Sequence, residues 1–222
     1  MAGGTHKMPL LRQENDRSRT DAASAFGYFD AEQPVANLSG NLPHWRQEGV
    51  TYFVTFRLAD SMPQSKLQQW LQEREAWLKA NPEPHTPEQR RQYYELFPHR
   101  FQDWLDAGHG SCLLAQPAVK EIVGQALRYF EGQRYALGEF VVMPNHVHVA
   151  VTPLTPYELS DILHSWKSYT AKQINALLGR SGTVWQKESF DHIVRCPAQL
   201  ERIHQYIREN PRLAAEASRR CE

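Results

Sequence analysis

Apolar residues along the chain follow two periods, and the changes from one to the other mark its elements. VTYFVTFRL at Val50–Leu58 is dense in β-branched and aromatic residues and predicts a strand. Two more strands are predicted at Tyr135–Met143 and Val147–Thr152, separated by Pro144-Asn145. Between the first strand and this pair, Pro117 suits the opening position of a helix reaching Phe130. Val119, Ile122, Val123, Ala126, Leu127 and Phe130 form its apolar side, and Gly132 ends it. Thr155-Pro156-Tyr157-Glu158 has the form of a capping box with proline at the first helical position. The helix it opens carries Leu159, Ile162, Leu163, Trp166, Thr170, Ile174 and Leu177 on one face and stops at Gly179. Thr183–Arg195 predicts one or two short strands, and Pro197–Arg208 a last helix.

The order strand, helix, strand, strand, helix, strand is the split βαβ plan. It predicts an α+β fold: a ferredoxin-like antiparallel sheet with helices on one face, leaving the other for a site. Residues 64–105 interrupt that plan. Leu67, Trp70, Leu71, Trp77 and Leu78 recur at helical spacing, NPEPHTP breaks the run, and Thr86-Pro87-Glu88-Gln89 opens a second helix as a capping box. This segment is read as an inserted helical hairpin. Residues 1–40 are polar, without sustained periodicity, and are read as a flexible arm with one docking stretch at Phe26–Phe29. The domain then spans 41–213, and 214–222 form an exposed charged tail.

Composition narrows the class. Lys+Arg and Asp+Glu are both 25, which excludes a uniformly basic nucleic-acid coat or an acidic solvating tail. The balance is uneven: residues 1–133 hold 14 basic against 16 acidic side chains, whereas 164–213 hold 8 against 4. No apolar run approaches the roughly 18 residues of a membrane span, so no membrane partner is expected. Cys112, Cys196 and Cys221 are widely spaced without a CxxC pair, which argues against a disulfide framework or structural zinc and for a cytoplasmic protein.

The chemistry concentrates in Met143-Pro144-Asn145-His146-Val147-His148-Val149. Residues two apart on a strand share a face, so His146 and His148 present two imidazoles side by side while Val147 and Val149 face the core. Two neutral imidazoles form half of a divalent-metal site; the same spacing also suits two surface histidines at a strand end. On the following helix Tyr169 and Gln173 are four apart and share a flank of the apolar stripe. A tyrosine there could act as a nucleophile on a metal-polarised phosphate, and Gln173 could complete the metal site. A boundary tyrosine and a solvated glutamine fit that position equally well.

MPNHVHV, followed by His164-Ser165-Trp166-Lys167-Ser168-Tyr169-Thr170-Ala171-Lys172-Gln173, resembles the REP-associated tyrosine transposases, single-tyrosine members of the HUH endonuclease superfamily. YFVTFRLADSMPQ at 52–64, the glycine loop Ala107–Leu114, Trp185-Gln186-Lys187-Glu188-Ser189-Phe190-Asp191-His192 and Tyr206-Ile207-Arg208-Glu209-Asn210-Pro211 extend the likeness over residues 42–213. The resemblance implies an enzyme that binds single-stranded hairpin DNA at palindromic repeats. It would cleave and rejoin that DNA through a covalent 5′-phosphotyrosine, with Mg²⁺ or Mn²⁺. Carried over by position, His146 and His148 are the metal ligands, Tyr169 the nucleophile and Gln173 a third ligand. Lys167, Lys172, Arg180, Lys187, Arg195 and Trp185 are candidate DNA contacts, with the protein working as a monomer or a homodimer. The alternatives are a non-catalytic repressor at palindromic repeats and a small-molecule metal hydrolase; no HExxH, P-loop or GxSxG motif supports the latter.

Overall fold

The computed structural model of the protein describes residues 26–38 and 44–220. Most of the expected arm therefore lies outside the described residues, as does the very end of the tail. Six strands are present: β1 (Ala36–Leu38), β2 (His44–Arg46), β3 (Tyr52–Arg57), β4 (Tyr135–Val142), β5 (His146–Pro153) and β6 (Phe190–Ile193). β1 and β2 form a small antiparallel ribbon, and the others form one antiparallel sheet in the order β4-β5-β3-β6. With helix α4 (Pro117–Arg128) between β3 and β4, and α5 (Leu159–Leu177) between β5 and β6, this is the expected ferredoxin-like arrangement.

Strand alternation then sorts every side chain. Val54, Phe56, Val147, Val149 and Val151 point to one face, where they pack against Val119, Val123 and Leu127 of α4 and Leu159, Ile162, Trp166 and Ile174 of α5. Phe53, Ala150 and Val141 point the other way, and there they meet Leu200, Ile203 and Ile207 of α6 (Pro197–Arg220). The face opposite the two crossover helices is thus not open. β5, HVHVAVTP, is covered from both sides and is buried at every position except Pro153.

Helix α6 differs from its expected end. It continues past Arg208 and through Pro211 to Arg220, although proline supplies no N–H and crowds the carbonyl four residues earlier. The start of α5 differs as well. Glu158, not Thr155, occupies its N-cap position, without a side-chain cap. The Thr155 hydroxyl instead donates to Glu48 Oε1 at 2.6 Å, so the predicted capping box does not form there.

The insertion does form two arms. One is α1 (Gln64–Ala80); the other is α2 (Pro87–Tyr94), joined through a π-helical turn at Glu95–His99 to α3 (Arg100–Asp106). The Thr86/Gln89 capping box is complete in both directions. Trp70, Trp77, Tyr93, Phe97 and Phe101 interlock between the arms, and Arg100 pairs with Glu73 across them. The insertion lies on the α6 side of the sheet: the Arg57 guanidinium sits 5.5 Å from the Phe101 ring centre, and Gln102 Nε2 donates to Thr55 Oγ1 at 3.0 Å.

Phe26–Phe29 docks beside β3. Thr51 N–H donates to the Gly27 carbonyl at 2.8 Å, and Phe29 N–H to the Val194 carbonyl at 3.0 Å. A side chain on Gly27 would meet the Gly49 carbonyl oxygen at 1.8 Å, so this approach needs glycine.

Helix α5 is fixed to the core by a polar chain. Trp185 Nε1 donates to Thr170 Oγ1 at 2.8 Å, and that hydroxyl donates to the Trp166 carbonyl at 2.7 Å. Trp166 Nε1 in turn donates to the Tyr135 hydroxyl at 3.0 Å. Thr170→Val keeps the shape but leaves the buried indole N–H without an acceptor. It is expected to lower unfolding stability by roughly 1–3 kcal/mol, read from urea denaturation.

Candidate active site

His146 and His148 are completely buried on the α6 face of β5, opposite Arg57 and Thr55 of β3. Asn145 fixes the first of them. Its Nδ2 donates to the His109 carbonyl at 3.0 Å, so its Oδ1 faces His146 Nδ1 at 2.7 Å and must accept from it. The lone pair of His146 is therefore on Nε2. That nitrogen lies 2.9 Å from His148 Nε2 and 3.3 Å from Asp106 Oδ1. On its other side His148 is held by Thr55 Oγ1, 2.8 Å from Nδ1. Burial, then the neighbouring His146, pushes the His148 pKa well below the ordinary imidazole value.

Asp106 is the last residue of α3, and its Oδ1 is a buried oxygen without a hydrogen-bond partner. A buried carboxylate oxygen without a hydrogen-bond partner lies here beside the Nε2 atoms of two imidazoles, a donor set that suits a cation. The three ligand atoms lie within 4.8 Å of one another, close to the spacing of about 3 Å that donors adopt around a small divalent ion. The donor set fits a divalent metal.

Helix α6 brings a tyrosine to the same point. The Tyr206 hydroxyl is 3.4 Å from His148 Nε2 and 3.5 Å from Asp106 Oδ2. Its ring packs edge-on against Phe53 and His148. Burial, followed by the Asp106 charge, raises its pKa far above the usual phenol value. One helical turn on, Asn210 is buried beside it and eases that shift slightly, yet neither amide atom makes a hydrogen bond of normal geometry.

Tyr169 and Gln173 are not brought to this cluster. α5 packs on the opposite face of the sheet, against Val147 and Val149, and Tyr169 is 54% exposed there. The reason is the strand period itself: the helix that covers the valines cannot also reach the histidines. The missed pair is Tyr206 and Asn210, also four apart on a helix and already visible in YIRENP. The alternation of β5 could have found them, since only a helix on the histidine side can supply a partner. Asp106 left no signal, because nothing in a sequence says where an insertion folds back.

Two expected DNA contacts are also displaced. Trp185 is a core residue, edge-on to Phe56 at 4.9 Å. Lys167 Nζ donates to the Gln186 and Lys187 carbonyls and to Ser189 Oγ, and burial, with help from Arg57, lowers its pKa to about 8. It staples α5 to the β6 approach. Lys172 and Arg180 are exposed on α5 and the loop after it, while Lys187 and Arg195 line a cavity beside the histidines.

Residues 114–210 match the family of IS200-like transposases, a stretch that includes both histidines, Tyr206 and Asn210. Among solved structures the chain is similar to a REP-associated tyrosine transposase bound to a REP hairpin, at 17% identity over 78% of this chain and 73% of that one, with a TM-score of 0.41. It is also similar to a candidate transposase from Deinococcus radiodurans R1, at 14% identity over 72% and 90% of the two chains, with a TM-score of 0.33. No curated protein matches. No helix among the described residues is long and apolar enough to cross a membrane.

Burial gives this site a pH signature. His192, on the same face, has its pKa lowered to about 4, chiefly by desolvation, and His148 is lowered too. Between about pH 6.5 and pH 4 the unfolded chain binds protons at His192 that the folded one refuses, so stability falls as pH falls. The slope is up to about 1.4 kcal/mol per pH unit for each such histidine. Urea midpoints measured across that window are expected to drop, and His192→Phe to flatten part of the slope.

Proposed function

We propose that the protein is a metal-dependent endonuclease and strand transferase for single-stranded DNA at hairpin ends, with Tyr206 as its nucleophile. The observation that carries this reading is the Tyr206 hydroxyl 3.4 Å from one of two buried, converging imidazoles. A pure binder has no use for a phenol, a carboxylate and two imidazoles aimed at one point. The family match supports the class, and the hairpin of the REP-associated relative suggests the substrate.

His146, His148 and Asp106 would hold the metal, with Asn210 beside them. A bound divalent ion would polarise a non-bridging phosphate oxygen and favour the phenolate. Two imidazoles suit Mn²⁺ better than Mg²⁺, although one carboxylate accommodates either. The protein's own contribution is position. Phe53 and the α6 backbone hold Tyr206 over the cluster. Its oxygen attacks phosphorus, the P–O3′ bond breaks, and the departing 3′-oxygen takes up a proton. Asp106 Oδ2, 3.5 Å from the phenol, is placed to accept the proton Tyr206 loses. The phosphotyrosyl ester keeps the energy of the broken diester, so a second 3′-hydroxyl reverses the step without ATP.

Tyrosine and histidines belong to one chain, so a monomer carries a complete site and needs no tyrosine from a second copy. The domain at 41–213 would be the catalytic unit, with 64–105 as a cap that delivers Asp106. Lys187 and Arg195 are the retained candidates for backbone contacts, since they border the site; Lys172 and Arg180 lie on the far side.

Incubating the protein with hairpin DNA and Mn²⁺ should give a detergent-stable protein–DNA adduct. Tyr206→Phe is expected to abolish it and Tyr169→Phe to leave it; the reverse pattern would sink the assignment. Asn145→Ala, which frees the His146 ring, is expected to weaken Mn²⁺ binding roughly tenfold to a hundredfold by calorimetry, with DNA binding retained.

A further inference from the structure

Strand transfer leaves one proton without a source, the one taken up by the departing 3′-oxygen. In-line displacement sets where that source must stand, because the attacking and leaving oxygens lie on opposite sides of phosphorus. Tyr206 approaches over His148, its hydroxyl 3.4 Å from the Nε2 of that ring. The leaving oxygen therefore departs on the His146 side, toward the turn between β4 and β5.

A cavity of about 340 Å³ opens there. His146, Asn145 and Asp106 line it while His148 and Tyr206 do not, so it meets the cluster from the side away from the phenol. Apart from Asp106 itself, Lys120 is the one carboxylate, lysine or arginine in the lining among the described residues. It stands exposed near the start of α4. Its own N–H donates to the Gln116 carbonyl at 2.9 Å, and Leu114 N–H, just before the helix, donates to the Pro144 carbonyl at 3.1 Å. The second bond ties the beginning of α4 to the same turn that carries His146.

We propose that Lys120 is the general acid of the reaction, giving a proton to the 3′-oxygen as it leaves into this cavity. A lysine ammonium presents three donors and no acceptor on a flexible stem, which suits an oxygen gaining negative charge. As the Tyr206 oxygen bonds to phosphorus, the electron pair of the P–O3′ bond passes to O3′, which takes its proton from Lys120. Lys120 is left as a neutral amine, and Asp106 holds the proton from Tyr206. Rejoining runs the same transfers backward: the amine accepts the proton of the attacking 3′-hydroxyl, and Asp106 returns its own to the phenol. One lysine thus serves as acid in cleavage and as base in rejoining. This inference rests on the single-strand nuclease reading above and deepens it.

Two substrates separate proton donation from a structural role: a hairpin oligonucleotide with oxygen at the scissile 3′ position, and the same strand with sulfur there. A thiolate leaves without a proton, because a thiol is far more acidic than an alcohol. Single-turnover adduct formation is measured with Mn²⁺ on both. Lys120→Met should slow it roughly hundredfold or more on the oxygen substrate and by no more than about threefold on the sulfur substrate. Lys120→Arg keeps the charge but holds its proton, so it should be as slow as Lys120→Met on oxygen. Mn²⁺ affinity by calorimetry should match the unsubstituted protein in both variants. Equal slowing on both substrates, an active Lys120→Arg or a loss of Mn²⁺ affinity would overturn the assignment. If Lys120→Met formed the Tyr206 adduct at the unsubstituted rate, only the lysine would fall. Absence of any adduct from the unsubstituted protein on either substrate would remove the nuclease reading and the lysine with it.

Discussion

Two imidazole nitrogens 2.9 Å apart, inside a strand buried on both faces, set the terms for everything around them. Such a pair is costly to bury unless each ring is held and the shared space between them is given a charge to attend to. Asn145 and Thr55 hold the outer nitrogens, and Gln102 reaches in from the insertion to brace Thr55. Asp106 supplies negative charge to the inner space. Thr55 comes from β3, Asn145 from the β4–β5 turn, and Gln102 and Asp106 from α3, while His109 of the glycine loop holds Asn145, so the site exists only when sheet, insertion and glycine loop have all closed on one another.

The division of labour between the helices follows from the same strand. α4 and α5 cover the valine side and make the larger core, tied together by the Tyr135, Trp166 and Thr170 hydrogen-bond chain. Among the described residues, α6 covers the histidine side with three buried aliphatic residues, Leu200, Ile203 and Ile207, leaving room between them for Tyr206 and Asn210 to point inward. The large apolar payload therefore sits where no chemistry is needed. The two buried imidazoles sit beneath a thinner layer.

Much of this was legible in the chain. The βαββαβ order, the insertion, the Thr86 capping box and the paired histidines all follow from local periodicity, which a sequence records directly. What escaped was long-range. Tyr169 and Gln173 have the spacing of a nucleophile and its neighbour, and the side of the sheet on which α5 lands keeps them from the histidines; Tyr206 and Asn210 have the same spacing on the helix that covers the histidine side. Asp106 escaped because it is separated from His146 by 40 positions and is delivered by the fold of an insertion. Trp185 and Lys167 escaped because an aromatic and a lysine near a site look alike in sequence whether they meet solvent or are tied down inside the protein, as Trp185 is in the core and Lys167 is by its three hydrogen bonds.

The alternation of β5 also acts as an inspection step in assembly. Sliding that strand by one residue against β3 would send both histidines into the aliphatic layer under α4 and α5 and turn the valines toward Asp106. Such a misthreaded sheet would lose its core and bury two unsatisfied rings together, so it is rejected by the same contacts that stabilise the correct one. A molecule that has folded at all has, by that fact, already aimed its histidines at the right partners.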